Sequence, residues 1–409
     1  MDIGTRKGIS MKARRNLQLL YGAAALLFLG LIYGWSIFVK PLEEMFAWNR
    51  AQTSLVFTFS MSFFCVGGFV SGMLLRKKSS RFVLRLSSAC MLSGFLLASR
   101  VTSLWGLYLS YGVLCGLGVG LGYNAILSTV GRWFPDKPGF CSGMLLLGFG
   151  LGALLLGTGA SLLIGAFGWR TTFLVFAALF SVALFACASL VRAPSETELS
   201  ALPKSAAHAA ESMKAETPPN KMLRTLSFWA LFLWCMVGSA IGLAMVGQAV
   251  PLALEAQAVS LTAVAAGLVS ASNGLSRLLF GAAFDRFGRL KTMLFNFLMV
   301  TLCIGLLYAA LLLKSTVLLV IGLIVLGAGY GGLPAIAASA TRELFGSRNY
   351  AINYSIVTLH AIFGALIGPI IAGNIYASNG TYLPMFPILA LLLLPMLVFA
   401  LLLPKARTQ

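Results

Sequence analysis

Apolar residues fall along this chain in long runs separated by short polar stretches, and the runs are of bilayer length. Twelve can be drawn, at about 17–39, 52–75, 82–99, 104–130, 139–166, 170–193, 225–252, 260–284, 290–313, 316–340, 350–376 and 382–403. Each holds 18 or more residues with few charges. At ~1.5 Å per residue, a helix of that length crosses the hydrocarbon core. The expected fold class is an all-α membrane protein of twelve transmembrane helices. The first run is too long for a cleavable leader and no small-residue cleavage site closes it, so it counts as the first span.

Composition agrees: 59% of residues are hydrophobic and 10% are charged, far from a soluble globular balance. A net charge of +19 would point to nucleic acid in a soluble protein. Here the 30 basic residues sort by loop. Twenty-four belong to the two tails and to the loops on one side, among them Arg6, Lys7, Arg76, Lys77, Lys78, Arg132, Lys204, Lys214, Arg342, Arg348, Lys405 and Arg407. Only Lys40, Arg50, Arg100, Arg170 and Lys314 fall on the other side, and Arg277 is left over. The positive-inside rule puts both termini in the cytoplasm, in a multi-pass protein of the inner (cytoplasmic) membrane. The lipid bilayer is thus the first partner, and no nucleic acid is expected. The seven cysteines show no Cys-x-x-Cys spacing and read as small apolar packing residues, with no metal site implied.

Between 193 and 223 the chain turns polar, with Pro194, Pro203, Pro218 and Pro219, and reads as a linker with a short helix near 206–215. It divides the runs six and six, so two six-helix bundles, 1–192 and 224–409, are expected. The halves repeat each other: Gly72-x-x-x-Arg76 is echoed by Gly281-x-x-x-Asp285, Gly122-Tyr123 by Gly329-Tyr330, and Gly152-Ala153-Leu154 by Gly364-Ala365-Leu366. The three offsets are nearly equal, as a duplication requires. Inverted or parallel repeats of this kind frame the central site of rocking transporters.

The candidate chemistry centres on Arg277, which lies roughly 12 Å inside the Asp285 end of its run. A guanidinium at that depth stays charged and needs a partner or a water-filled cavity, so it marks an anion site. Asn273, one turn earlier, shares its face and can orient the fork or add a donor; packing between helices is the bland alternative. His360 is the only histidine within a run, and no Asp or Glu lies mid-run. It is read as a proton or carboxylate site, against a plain interhelical hydrogen bond. Tyr33, Tyr123 beside Asn124, Tyr330, Tyr354 and Tyr376 are candidate cavity phenols, and Leu145 and Leu146 a candidate apolar wall. Gly148-Phe-Gly150-Leu-Gly152-Ala153 spells a dinucleotide fingerprint but lacks its strand, and no Walker motif occurs, so no cofactor is expected and transport would be driven by gradients. No paired carboxylates or nucleophile–base set points to an enzyme.

The loop Gly281-Ala-Ala-Phe-Asp285-Arg286-Phe-Gly288-Arg289 resembles the recurring motif of the major facilitator superfamily, and the resemblance spans essentially the whole chain. It implies that Asp285, Arg286 and Arg289 form a gating loop. Arg76 stands where the first-half copy of the motif usually has Asp. Tyr33-Gly34-Trp35-Ser36, Gly122-Tyr123-Asn124 and Arg277 are similar to the group of monocarboxylate transporters and oxalate–formate antiporters. In that group the arginine binds the substrate carboxylate. His360 stands where the oxalate branch has lysine, and Asn273 where the mammalian branch has a proton-accepting aspartate. The expected activity is proton-coupled symport of a lactate- or pyruvate-sized acid, with Arg277 and His360 coupling the proton and a monomer sufficient. Carboxylate exchange without protons is the alternative, and a transporter-like sensor is the alternative from another class.

Overall fold

A computed structural model describes residues 10–202 and 216–404, and among them no β-strand occurs. The two tails and the helix expected near 206–215 lie outside the described residues. The first half of the chain holds α1 (Met11–Leu29), α2 (Ser36–Phe46), α3 (Arg50–Leu74), α4 (Ser80–Ser99), α5 (Leu104–Leu107), α6 (Gly116–Gly131), α7 (Pro138–Leu190) and the short α8 (Glu196–Ala201). After α9 (Pro219–Met222) come α10 (Leu226–Val246), α11 (Ala249–Glu255), α12 (Thr262–Phe287), α13 (Arg289–Leu312), α14 (Thr316–Phe345), α15 (Tyr350–Thr358), α16 (His360–Asn379) and α17 (Met385–Leu402).

Ten segments among the described residues are long and apolar enough to cross a membrane. Two further features of the chain bear on that figure. The helix α7 counts as one segment, yet Gly168 sits inside it at φ 77° and ψ 165°. That conformation is open to glycine and breaks the helix between the fifth and sixth apolar runs. The helix α12, which carries Ser272, Asn273, Ser276 and Arg277 among its apolar residues, is not among the ten. Three other runs are less regular than the sequence pattern implies. The first passes through a 3-10 turn at Gly30–Gly34, the fourth through a π-helical stretch at Tyr108–Cys115, and in the eleventh Leu359 alone separates α15 from α16, its backbone still helical at φ −59° and ψ −21°.

Side-chain caps set several of the starts. Asn49 and Gln52 form a reciprocal capping box at α3, and Ser79, Thr225 and Ser315 cap α4, α10 and α14. Within the first half α3 packs on α6 and α7 packs on α1 and α4; within the second, α12 packs on α14 and α10 on α16. The halves meet where α7 lies along α12 and where α15 lies along α3. These two seams exchange places under the sequence repeat, as a duplicated fold requires.

One end of the bundle gathers the basic loops, and is called the basic end below. There Glu198 accepts from both terminal nitrogens of Arg192 (2.6 and 2.7 Å) and from Arg14 (3.2 Å), tying α8 to α1. These donors hold the Glu198 carboxyl well below the usual carboxylate range. Arg15 pairs with Asp136 at 2.5 Å and lies over the Phe134 ring. At the opposite end Glu255 accepts from Thr381 and from the Tyr382 amide, and Arg170 donates to the carbonyls of Ser99 and Val101.

Candidate substrate site

Arg277 projects from α12 into the seam with α7 and is 6% exposed. Its Nε and one terminal nitrogen donate to Asn273 Oδ1 at 3.2 and 3.0 Å, and the other terminal nitrogen donates to the Leu146 carbonyl of α7 at 3.1 Å. A guanidinium has five N–H donors. Three are engaged in these bonds and the Tyr33 hydroxyl lies within hydrogen-bonding reach of the same guanidinium, which leaves one further donor for the oxygen of an anion. No carboxylate pairs with Arg277 among the described residues. Asn273 therefore acts first as an orienter: its oxygen fixes the fork, and its amide nitrogen is left to donate elsewhere.

Three of the tyrosines gather at this guanidinium. Tyr33, Tyr123 and Tyr330 all lie within electrostatic reach of Arg277. Tyr33 is nevertheless 40% exposed, so it faces open space beside the arginine. Phe149 braces the group, edge-on to Tyr33 at 5.4 Å and to Tyr123 at 4.9 Å. The result is one fixed cation between phenols and apolar rings, with no acidic side chain to compete for it.

The other expected residues are placed elsewhere. Asn124 is 1% exposed, and its amide nitrogen donates to the Gly68 and Ala351 carbonyls, both at 2.7 Å. Both donors are spent, one within the first half and one on the second. The Leu145 side chain is fully buried against Gly22 of α1, and the useful group of this pair is the Leu146 carbonyl. His360 opens α16, 6% exposed, with Nδ1 3.3 Å from Ser239 Oγ of α10 and the Phe232 ring edge-on at 6.4 Å. No hydrogen bond joins it to Arg277 among the described residues. Tyr376 stacks on Tyr382 at 4.6 Å near the end opposite the basic one, apart from the arginine. The sequence reading did not single out Ser239, Phe149 or the Leu146 carbonyl; a backbone acceptor leaves no mark in a sequence.

Toward the basic end the halves are joined by further hydrogen bonds. Asp285 accepts from the backbone amides of Gly139 (2.7 Å) and Phe140 (2.6 Å), the second and third residues of α7. A helix start leaves such donors orphaned, and Lys137 offers no cap, so the carboxylate caps α7 from the opposite half. The approach is backbone to backbone. A Cβ on Gly281 would stand 2.2 Å from the Gly139 carbonyl oxygen, and one on Gly143 2.5 Å from that of Arg277. Tyr123 and Tyr354 share a hydrogen bond of 3.0 Å at the other seam, where α15 meets the first half. In the loop after Asp285, Arg289 pairs with Glu343 at 2.8 Å and also donates to the Pro404 carbonyl, while Arg286 lies over Phe287. Among the described residues no group of His, Cys, Asp and Glu could hold a metal ion.

The model of the Major Facilitator Superfamily matches residues 20–304 and again 232–409. The chain belongs to that superfamily. It is a multi-pass membrane transporter of this fold, and not an enzyme. Among curated relatives of this superfamily member, the oxalate:formate antiporter of Oxalobacter formigenes is 27% identical over 84% of this chain and 82% of its own length. The uncharacterized transporter YhjX of Escherichia coli is 26% identical over 83% and 82%. Monocarboxylate transporter 12 of Rattus norvegicus is 32% identical, over 38% of this chain and 32% of its own. The structure of the proton:xylose symporter XylE superposes with a TM-score of 0.68 over 98% of both chains, at 16% identity, a likeness of fold.

Proposed function

We propose that this chain carries a small monocarboxylate, lactate- or pyruvate-sized, together with protons, by alternating access. The observation that supports it is the Arg277 fork: a buried cation aimed by Asn273 and Leu146, beside the Tyr33 hydroxyl, and paired with no carboxylate among the described residues. One permanent positive charge matches one carboxylate. The phenols of Tyr33, Tyr123 and Tyr330 suit a short hydroxy or keto acid, and loading the anion brings the site nearer to neutrality before it is occluded.

The proton role falls to His360 with Arg277, and the latch to Asp285 with Arg286 and Arg289 in support. In this reading the chain crosses the inner membrane twelve times, as two six-helix bundles, with α7 supplying two spans and α12 one. The basic end then faces the cytoplasm and both termini lie there.

The test is uptake of labelled lactate into proteoliposomes with and without an inward proton gradient, wild type beside Arg277→Ala. Gradient-driven accumulation that the variant loses is the expected result. No lactate uptake by the wild type under either condition overturns it. A second reading, exchange of one carboxylate for another without protons, is favoured by the likeness to the oxalate:formate antiporter over most of both chains. Acceleration of uptake by a carboxylate on the far side, with no pH gradient, is its signature.

A further inference from the structure

A cavity of about 640 Å³ opens at the basic end, lined from the first half by Lys78, Arg81 and Arg132 and from the second by Arg342 and Arg348. None of these five cations has a carboxylate partner among the described residues. The lining carboxylates are engaged: Glu343 pairs with Arg289 at 2.8 Å, and Glu216 accepts from the Arg348 backbone amide at 3.1 Å.

Positive loops are ordinary at this face of a membrane protein, but Arg342 is not a loop residue. It belongs to α14, is 7% exposed, and its guanidinium rests 3.9 Å above the Tyr350 ring. Its Nε finds no partner among the described residues, the Tyr350 hydroxyl is within its reach, and its bond to the Leu127 carbonyl of the first half is a long one, 3.4 Å. A buried cation so weakly satisfied, on the wall of a cavity, is short of an anion.

We propose that this cavity is a second anion site, which holds a small multivalent oxyanion of the phosphate type and clamps the two halves together at the basic end. Arginine forks suit phosphate oxygens, and only a multivalent anion answers cations contributed by both halves. A soluble phosphate compound and an anionic lipid headgroup share this chemistry.

The probe is pyrophosphate, titrated calorimetrically into the detergent-purified full chain. Wild type is expected to bind saturably, Arg277→Ala to bind equally well, and Arg342→Gln to bind about tenfold or more weakly. Arg132→Gln with Arg348→Gln, both on exposed residues, gives the same weakening if Arg342→Gln fails to fold. Bound pyrophosphate should also slow alkylation of Cys141, which is 1% exposed beside the Asp285 contact. In nanodiscs, loss of pyrophosphate binding when phosphatidylglycerol is added assigns the site to a headgroup, and unchanged binding to a soluble anion; either keeps the site. Absence of saturable binding, affinity unchanged in all the cavity variants, or binding lost in Arg277→Ala overturns the proposal. Binding without slower Cys141 alkylation overturns the clamp.

Discussion

Asp285, at the end of α12, takes the Gly139 amide of the opposite half at 2.7 Å, and so serves as the missing cap of α7. A charge-assisted pair of bonds of this kind is worth roughly 1.5–3 kcal/mol. Asp285→Asn keeps an acceptor but loses the charge and one oxygen. A loss of about 1.4 kcal/mol would raise the open population at the basic end about tenfold. The alkylation rate of Cys141, followed by peptide mass spectrometry, should rise by that factor. An unchanged rate would show that the capping bonds do not hold the seam.

Gly281→Ala should act more strongly than Asp285→Asn. The new methyl would meet the Gly139 carbonyl oxygen at 2.2 Å, and neither backbone can yield without the seam parting. Cys141 should be freely alkylated in this variant. Gly267→Ala on the same helix is the control, since nothing lies within 4 Å of its added carbon. It should leave the rate alone and stabilise the helix by about 0.5–1 kcal/mol.

Asn273→Leu removes the acceptor that holds two of the Arg277 donors. The guanidinium remains but is no longer aimed, so substrate KM should rise about 10- to 100-fold, as loss of bonds to a charged group predicts. Initial rates of uptake across substrate concentration decide this. An unaltered KM would assign Asn273 to packing alone.

Replacing His360 by Ala should abolish the stimulation of uptake by acid while sparing some exchange. The distance between His360 and Ser239, 3.3 Å, makes Ser239→Ala the companion variant. If acid stimulation survives in His360→Ala, the proton travels by another group and His360 leaves the mechanism.

The Glu198 clamp gives a pH test with a definite sign. Its carboxyl is held below the ordinary range, first by Arg192. The stabilisation is therefore complete above the unfolded-state value, about 4.3, and fades as pH falls toward the lowered one. Glu198→Gln should lower the melting temperature by about 2–4 °C at neutral pH. That gap should hold from pH 8 to about 5 and shrink below about 4.3. A gap that widens in acid would contradict the clamp.

A guanidinium inside an apolar run has few excuses, so the sequence alone marks Arg277 as the charge of the candidate site. Asn273 followed from helical spacing, and the Asp285 loop from its motif. Other candidates have partners that the sequence does not reveal. Tyr376 lies in the same apolar run as Tyr354, but near its far end, where it stacks on Tyr382. Asn124 has the chemistry of a ligand group, but its two donors find carbonyls of both halves, a use that depends on packing and not on composition. Of the polar residues of α12, Asn273 and Arg277 furnish the candidate site, while the Ser272 and Ser276 hydroxyls bond back to carbonyls of their own helix.

The hydrogen bonds joining the two halves among the described residues, from Arg277–Leu146 to Asp285–Gly139, cluster in one zone running from the arginine to the basic end. Such a zone cannot make transport one-way, because a closed cycle dissipates no more than its gradients supply. It does make the carrier lopsided in what each compartment perceives. A ligand approaching from the basic side meets a competent site only in the fraction of molecules already unlatched. If unlatching costs about 2.7 kcal/mol, that side sees an apparent affinity roughly 100-fold weaker than the other, with the same atoms doing the binding.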